Sequence, residues 1–195
     1  MSTIVAVRKN GRVCIAADTL TSFGDVKQSS DYELSHDKIF EYDGNYIGIV
    51  GSAAHDAVVR SLLWENGADE YDFSSRMAIF ESFRRIHPLL KEHYYLNPKE
   101  DDDSPYESSR IDALIVNRHG MFSVFSLREV FEYSRFWAIG AGAEFALGAM
   151  FAAYGHCGEA DEIADAGVRA AAEFDSSSAL PLTMYSVALD AEDPA

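Results

Sequence analysis

A chain of 195 residues, of which 48% are hydrophobic and 25% charged, can bury one substantial core, so we expect a single domain spanning residues 1–195. Asp and Glu number 32 against 16 Lys and Arg, and the resulting formal charge of −16 disfavours nucleic acid as a partner. No apolar run approaches the ~20 residues of a membrane span, and no secretory signal opens the chain. The two cysteines make no disulfide framework. We therefore expect a cytoplasmic protein without nucleic-acid or membrane partners.

The first quarter of the chain is predicted to consist of short strands. Asn10-Gly11 is a strong hairpin signal because both residues tolerate a positive φ. The second strand ends at Asp18, and a polar stretch follows at residues 19–36. Four strands are predicted, in two hairpins: residues 3–7, 13–17, 38–42 and 46–50.

Helical periodicity begins at Ser52, and Gly67 is a predicted C-terminal stop. The next helix is expected to bury Met77, Phe80, Phe83 and Leu90 and to kink or end at Pro88. An acidic segment at residues 97–109 is predicted to be a mobile loop, and residues 190–195 a polar tail. Further strands are predicted at residues 111–116, 121–127, 130–133 and 181–189, and alanine-rich helices at residues 143–154 and 159–174.

The order is strands, two helices, strands, two helices and a strand. Strands that are apolar on both faces need to be covered twice. Two sheets packed face to face, with helices outside each, satisfy that need. We therefore predict an α+β fold with four layers, an α-β-β-α sandwich.

The N-terminus offers a specific chemistry. A strand that starts at residue 3 places Ser2 at a rigid sheet edge, and a serine at this position is small enough for methionine aminopeptidase to remove Met1. The freed α-amino group, with a reference pKa of about 7.7–8.0, can accept the serine hydroxyl proton near neutral pH.

The sequence contains no metal-binding HExxH pattern and no phosphate-binding glycine loop, so no metal, cofactor or ATP hydrolysis is expected.

Several short motifs resemble one family. The run from Ser2 to Arg8, with Gly11 and residues 15–18, is similar to the start of proteasome β-subunits and of HslV (ClpQ), where Thr-Thr-Ile-Val precedes the same hairpin and an aspartate. Residues 38–51 resemble the segment that holds the family's catalytic lysine and a later glycine, and residues 174–187 resemble its C-terminal Arg-Asp-x-x-Ser-Gly-Gly motif and following strand. The chain is also similar to the proteobacterial proteasome homologue group. The resemblance implies the fold of the N-terminal nucleophile hydrolases.

Residue by residue, the resemblance implies a threonine-type endopeptidase site with serine as the nucleophile. Ser2 matches the nucleophile, and Asp18 and Lys38 match the aspartate and lysine that activate it. Gly51 matches the glycine whose N–H faces the oxyanion. Asp175 and Ser178 match the pair around the terminal amine. Substrate-binding positions are implied at Thr21, Ser22 and Ile49, the last suggesting a preference for apolar side chains.

The same resemblance implies a homo-oligomer of two stacked heptameric rings, which admits only unfolded polypeptides. It also allows a separate ATP-dependent unfoldase as a partner, although no residue of the sequence identifies one. Two alternatives stay open: a small-amide N-terminal-nucleophile amidase without a ring, and a non-catalytic ring subunit.

Some positions depart from the family pattern. The segment between Asp18 and Lys38 is about four residues longer than usual in the family, which leaves Lys27 as a second candidate for the lysine. A leucine, Leu20, replaces a frequent basic residue near the aspartate. Ala141 stands where the family has a serine, and Ala179-Leu180 where glycines are usual.

Overall fold

A computed structural model describes residues 2–67, 70–99 and 103–190. Met1, residues 100–102 of the predicted acidic loop and residues 191–195 of the predicted tail lie outside the described residues. No helix within these ranges is long and apolar enough to cross a membrane. The described elements are, in order, β1 (Thr3–Lys9), β2 (Arg12–Asp18), β3 (Thr21–Phe23), β4 (Val26–Gln28), β5 (Ile39–Tyr42), β6 (Asn45–Val50), α1 (Ala53–Asn66), α2 (Arg76–Glu92), β7 (Asp112–Asn117), β8 (Gly120–Val124), β9 (Val130–Glu132), β10 (Phe136–Gly140), α3 (Ala143–Tyr154), α4 (Ala160–Phe174) and β11 (Leu182–Ala188).

Two antiparallel sheets form the centre of the molecule. The first has the order β10-β1-β2-β11, and the second has the order β5-β6-β7-β8-β9. The turn between β1 and β2 has φ of 50° at Asn10 and 73° at Gly11, as predicted for this hairpin. The topology places the N-terminal end of β1 between the C-terminal ends of β2 and β10.

The space between the sheets is filled by apolar side chains from both. Each strand of the first sheet sends alternate residues inward, and the second sheet does the same from its facing surface. The strands are therefore apolar on both faces, as their sequences predict. The main buried members of this layer are Ile4, Ala6, Val13, Ile15, Ala17, Leu114, Val116, Met121 and Ile139.

Helices cover the outer face of each sheet. The outer face of the first sheet packs against α3 and α4 through a cluster that includes Val5, Val7, Met150, Ile163 and Val168. The outer face of the second sheet packs against α1 and α2, where the buried residues include Leu62, Leu63, Ile79, Phe83 and Ile86. The four-layer α-β-β-α sandwich predicted from the sequence is confirmed.

Four local features differ from the predictions. The polar stretch after Asp18 contains a small hairpin, β3 and β4, and the strand β10 had not been predicted. The helix α2 continues through Pro88 to Glu92, because buried contacts of Ile86 and Leu90 on either side hold it against the sheet. Met77, which was predicted on its buried face, is 62% exposed, whereas Phe83 and Leu90 are buried as predicted.

Candidate active site

The N-terminal end of β1 is fixed between two neighbouring strands. Thr3 is opposite Gly140 in β10, and the Ala141 N–H donates a 2.9 Å hydrogen bond to the Ser2 carbonyl. Gly140 has φ of 98°, and a Cβ on it would lie 1.9 Å from the Ser2 carbonyl oxygen. Only glycine therefore allows this close approach. The backbone of Ser2 therefore has a defined position at the N-terminal end of a central strand.

Asp18, the last residue of β2, is fully buried and connects several segments. Its Oδ1 accepts hydrogen bonds from the Thr3 N–H at 2.9 Å and from Lys38 Nζ at 2.8 Å. Its Oδ2 accepts from the Leu20 N–H at 3.0 Å and the Ala179 N–H at 3.2 Å. Four donors of this kind stabilise a buried carboxylate. One carboxylate therefore links the start of β1 to the ammonium group of Lys38.

Lys38 directly precedes β5 and points back toward β2. Its Nζ donates to the Leu20 carbonyl at 2.7 Å as well as to Asp18. An ammonium group has three N–H donors, so one remains beyond these two bonds. Burial lowers the pKa of Lys38 from its ordinary value, and the Asp18 carboxylate opposes that change. The second candidate, Lys27, is exposed on β4 opposite Ser22.

A second hydrogen-bonded chain begins one residue after Ser2. Thr3 Oγ1 is 2.7 Å from Ser178 Oγ, and Ser178 Oγ donates to Asp175 Oδ2 at 2.7 Å. Because the single hydroxyl proton of Ser178 goes to the carboxylate, the Thr3 hydroxyl donates to Ser178. Thr3 Oγ1 in turn accepts from the Gly142 N–H at 3.0 Å. Burial raises the pKa of Asp175, but hydrogen bonds from Ser178 and Ser177 outweigh it, and the net shift is downward.

Six of the predicted site residues surround one cavity of about 470 Å³. Gly51, which has φ of 110°, lies between the end of β6 and Ser52, the N-cap of α1. The three remaining predicted residues, Asp18, Asp175 and Ser178, form the hydrogen bonds described above, behind the start of β1. The six that line the cavity are Ser2, Thr21, Ser22, Lys38, Ile49 and Gly51.

The positions that depart from the family pattern contribute through their backbones. Leu20 has a buried side chain, while its N–H binds Asp18 and its carbonyl binds Lys38. Ala141 and Ala179 each donate a backbone N–H, to the Ser2 carbonyl and to Asp18 respectively. Changes of side chain at these three positions therefore leave these hydrogen bonds in place.

Asp37 was not singled out from the sequence. Its Oδ1 accepts from the Ile39 N–H and from Thr183 Oγ1, both at 2.9 Å, and its Oδ2 accepts from the Tyr185 hydroxyl. These bonds attach the residue before Lys38 to β11. No local pattern indicates the contact with β11, because Thr183 and Tyr185 lie 146 and 148 residues from Asp37 in the sequence.

Comparisons with known proteins identify the family of the chain. The chain matches the family described as Proteasome subunit over residues 1–187. The BPH of Thiobacillus denitrificans in complex with epoxomicin is 41% identical, with a TM-score of 0.87 over 97% of this chain and 100% of that chain. A second structure of the same BPH is 43% identical, with a TM-score of 0.86 over 96% of this chain and 98% of that chain.

HslV from Trypanosoma brucei shares the fold, with 22% identity and a TM-score of 0.70 over 94% of this chain and 98% of that chain. A search of curated proteins gave no match. The family match over nearly the whole length, together with two relatives above 40% identity, shows that this chain belongs to the proteasome subunit family.

Proposed function

We propose that the chain is an endopeptidase subunit whose nucleophile is Ser2, exposed as a new N-terminus when Met1 is removed. The observation that carries this proposal is the double role of Asp18, whose Oδ1 binds both the Thr3 N–H and Lys38 Nζ. This carboxylate brings a lysine ammonium to the cavity that Ser2 lines. A hydroxyl, an α-amine and a fixed positive charge are the groups that a terminal nucleophile requires.

The proposed reaction has two halves. Ser2 Oγ attacks the carbonyl carbon of the scissile bond, and its hydroxyl proton passes to the α-amine, directly or through water. The proton then moves to the leaving amine, and an ester joins the acyl group to Ser2. Water hydrolyses this ester, with the α-amine again accepting a proton. The Lys38 ammonium favours the ionised hydroxyl, and Gly51 supplies an N–H to the oxyanion.

The remaining polar residues hold these groups in position. Asp18 orients Lys38, while Asp175 and Ser178 act on the start of β1 through the Thr3 hydroxyl. Serine has the same nucleophilic oxygen as threonine but lacks the methyl group that restricts χ1. We therefore expect a slower enzyme than one with threonine at this position.

Substrate would bind in an extended form. Thr21 and Ser22 lie on β3 at the cavity wall and are proposed to pair with the substrate backbone as an added strand. Ile49 lines the same cavity and offers apolar contact to a substrate side chain. The natural substrates are proposed to be unfolded polypeptides.

The proposed assembly is two stacked rings of seven subunits with the active sites facing an inner chamber, and an ATP-dependent unfoldase is proposed as a partner. Membership in the proteasome subunit family supports a ring, and light scattering or electron microscopy tests it. A monomer or dimer that hydrolyses small amides would favour the amidase alternative. A ring that retains Met1 and cleaves nothing would favour a non-catalytic subunit.

The decisive experiment compares wild type, Ser2→Ala and Ser2→Thr in peptide hydrolysis, with intact mass for each protein. All three second residues are small, so Met1 removal is expected in each. Wild type should cleave, Ser2→Ala should not, and Ser2→Thr should cleave faster. Activity that survives in Ser2→Ala contradicts the proposal. Epoxomicin, which is bound in the structure of one relative, is a second probe and should inhibit the wild-type protein.

A further inference from the structure

The lining of the cavity beside Ser2 holds more carboxylates than lysine or arginine side chains. Besides Lys38, its lining includes three carboxylate residues, Glu33, Asp37 and Asp56. The positive charge of Lys38 is matched by Asp18, with Nζ and Oδ1 2.8 Å apart. The net negative charge of the cavity lining therefore depends on whether Glu33, Asp37 and Asp56 have cationic partners.

Only one of these three has a cationic partner among the described residues. Asp56 Oδ2 pairs with Arg60 Nε at 2.7 Å, while its Oδ1 is buried with no hydrogen-bond partner in the described part of the chain. Asp37 is held by neutral donors on β5 and β11. The cavity wall therefore holds unneutralised carboxylate charge.

Glu33 is placed with its carboxylate against β3. Its Oε2 accepts from Thr21 Oγ1 at 3.0 Å and from Gln28 Nε2 at 3.1 Å. Within residues 2–67, 70–99 and 103–190 it forms no ion pair with a lysine, arginine or histidine. Two neutral donors orient the group without cancelling its charge. Thr21 is also the residue proposed to align substrate, so the charge lies beside the substrate path.

Part of the remaining lining is apolar and comes from Leu20, Phe23, Ile49 and Ala53, beside several hydroxyl side chains and His36. A cavity with apolar patches and unneutralised carboxylates suits a lysine or arginine side chain, whose methylene stem prefers apolar surface while its charged head seeks an acceptor. A purely aliphatic side chain would leave the carboxylates unpaired, and an acidic one would be repelled.

We propose that Glu33 is a specificity-determining residue that makes this cavity prefer peptides with a lysine or arginine side chain next to the scissile bond. This inference rests on the proposed function. It refines the apolar preference expected from Ile49, which here contacts the stem of a basic side chain.

The test uses matched fluorogenic peptides that carry lysine, norleucine or glutamate before the scissile bond. The wild-type protein should favour lysine over norleucine in kcat/KM by about fivefold, and glutamate should be the poorest. In Glu33→Gln the lysine preference should disappear, mainly through KM, and Glu33→Lys should favour glutamate. Asp31→Asn is the matched control, because it removes the same charge from an exposed residue of the same segment and should keep the wild-type ratio.

The outcomes separate the two proposals. If wild type cleaves norleucine peptides in a Ser2-dependent way without preferring lysine, the specificity proposal is wrong and the peptidase proposal stands. If Glu33→Gln lowers kcat for all peptides with an unchanged ratio, Glu33 only supports β3 and the specificity proposal is wrong as well. If wild type and Ser2→Ala are equally inactive on every peptide, the peptidase proposal itself fails.

Discussion

Thr3 Oγ1 lies 2.7 Å from Ser178 Oγ, so the residue after the proposed nucleophile is attached to the loop that follows α4. The same hydroxyl accepts from the Gly142 N–H at the start of α3. Asp18 meanwhile binds the N–H of Thr3. Three distant parts of the chain therefore fix the peptide unit that carries Ser2.

Replacing Thr3 with valine removes this hydroxyl at nearly constant volume. Ser178 then loses a donor and the buried Gly142 N–H loses its acceptor, so we expect a loss of about 1–3 kcal/mol in the free energy of unfolding. Peptide hydrolysis should fall as well, because Ser2 is less firmly held. Denaturant unfolding and kcat/KM measure the two effects. Thr3→Ser retains the hydroxyl and should remain near wild type in activity, and equal losses in both variants would contradict the role given to this oxygen.

Replacing Lys38 with methionine leaves Asp18 buried without its cation. Breaking a buried pair in this way costs about 3–5 kcal/mol of stability, and loss of the charge beside the nucleophile should lower kcat by about 10²–10³-fold. Lys27→Met makes the same change on exposed β4 and should stay within about 0.5 kcal/mol of wild type. Hydrolysis assays on variants shown to be folded by circular dichroism decide between the two lysines. Activity lost in Lys27→Met but kept in Lys38→Met would reverse the assignment.

The close approach at Gly140 gives a steric prediction. A methyl group there would lie 1.9 Å from the Ser2 carbonyl oxygen, so Gly140→Ala must displace either β10 or the start of β1. We expect a loss of both stability and peptidase activity. Gly155→Ala is the control, since that glycine has open space around it and φ of −79°, and the change should be neutral or stabilising by up to about 1 kcal/mol. Thermal unfolding of both variants checks this, and an unperturbed Gly140→Ala would contradict the described packing.

The layered fold was predictable because strands such as β1 are apolar on both faces and because Asn10-Gly11 marks a hairpin. The short strands β3 and β4 were not, since Val26 and Phe23 are exposed and show no alternation that a sheet face would impose. The strand β10 was not predicted, and its place in the first sheet follows from its pairing with β1. The path of α2 through Pro88 depends on tertiary packing that no local signal contains.

Some residues of the candidate site were likewise predictable from the sequence, and others were not. Ser2, Asp18 and Lys38 were identified through motif resemblance, and the structure brings them to one place. The roles of Leu20 and Ala179 could not be predicted from the sequence, because both residues bind Asp18 through backbone N–H groups and the identity of the side chain does not indicate such a bond. The anchoring of Asp37 by Thr183 and Tyr185 requires the three-dimensional pairing of segments from opposite ends of the chain.

The buried side chain of His87 predicts an acid-sensitive stability. Its ring bonds Ser109 Oγ at 2.9 Å and Glu107 Oε2 at 3.2 Å. Burial lowers the pKa of His87 below its ordinary value of 6.5, with Glu107 opposing the change. Between the folded and unfolded pKa values the unfolded chain binds more protons, so this group makes stability fall as pH decreases below about 6.5.

Replacing His87 with glutamine should remove that contribution. We expect the difference in unfolding midpoint between pH 7.5 and pH 5 to shrink in His87→Gln, even if its stability at pH 7.5 is lower. His93→Gln changes an exposed histidine at the end of the same helix and should keep the wild-type pH dependence. An unchanged pH dependence in His87→Gln would assign the acid sensitivity to other groups.

The pH profile of hydrolysis tests the link between Glu33 and Lys38. A bell-shaped kcat/KM is expected, since the α-amine must be neutral and Lys38 must be charged. Burial lowers the pKa of Lys38, so its alkaline limb should lie below the ordinary lysine value of 10.5. The negative charge of Glu33 raises that pKa, so Glu33→Gln should move the alkaline limb to lower pH, while Asp31→Asn should not. A shift to higher pH, or the same shift in both variants, would show that Lys38 does not set this limb.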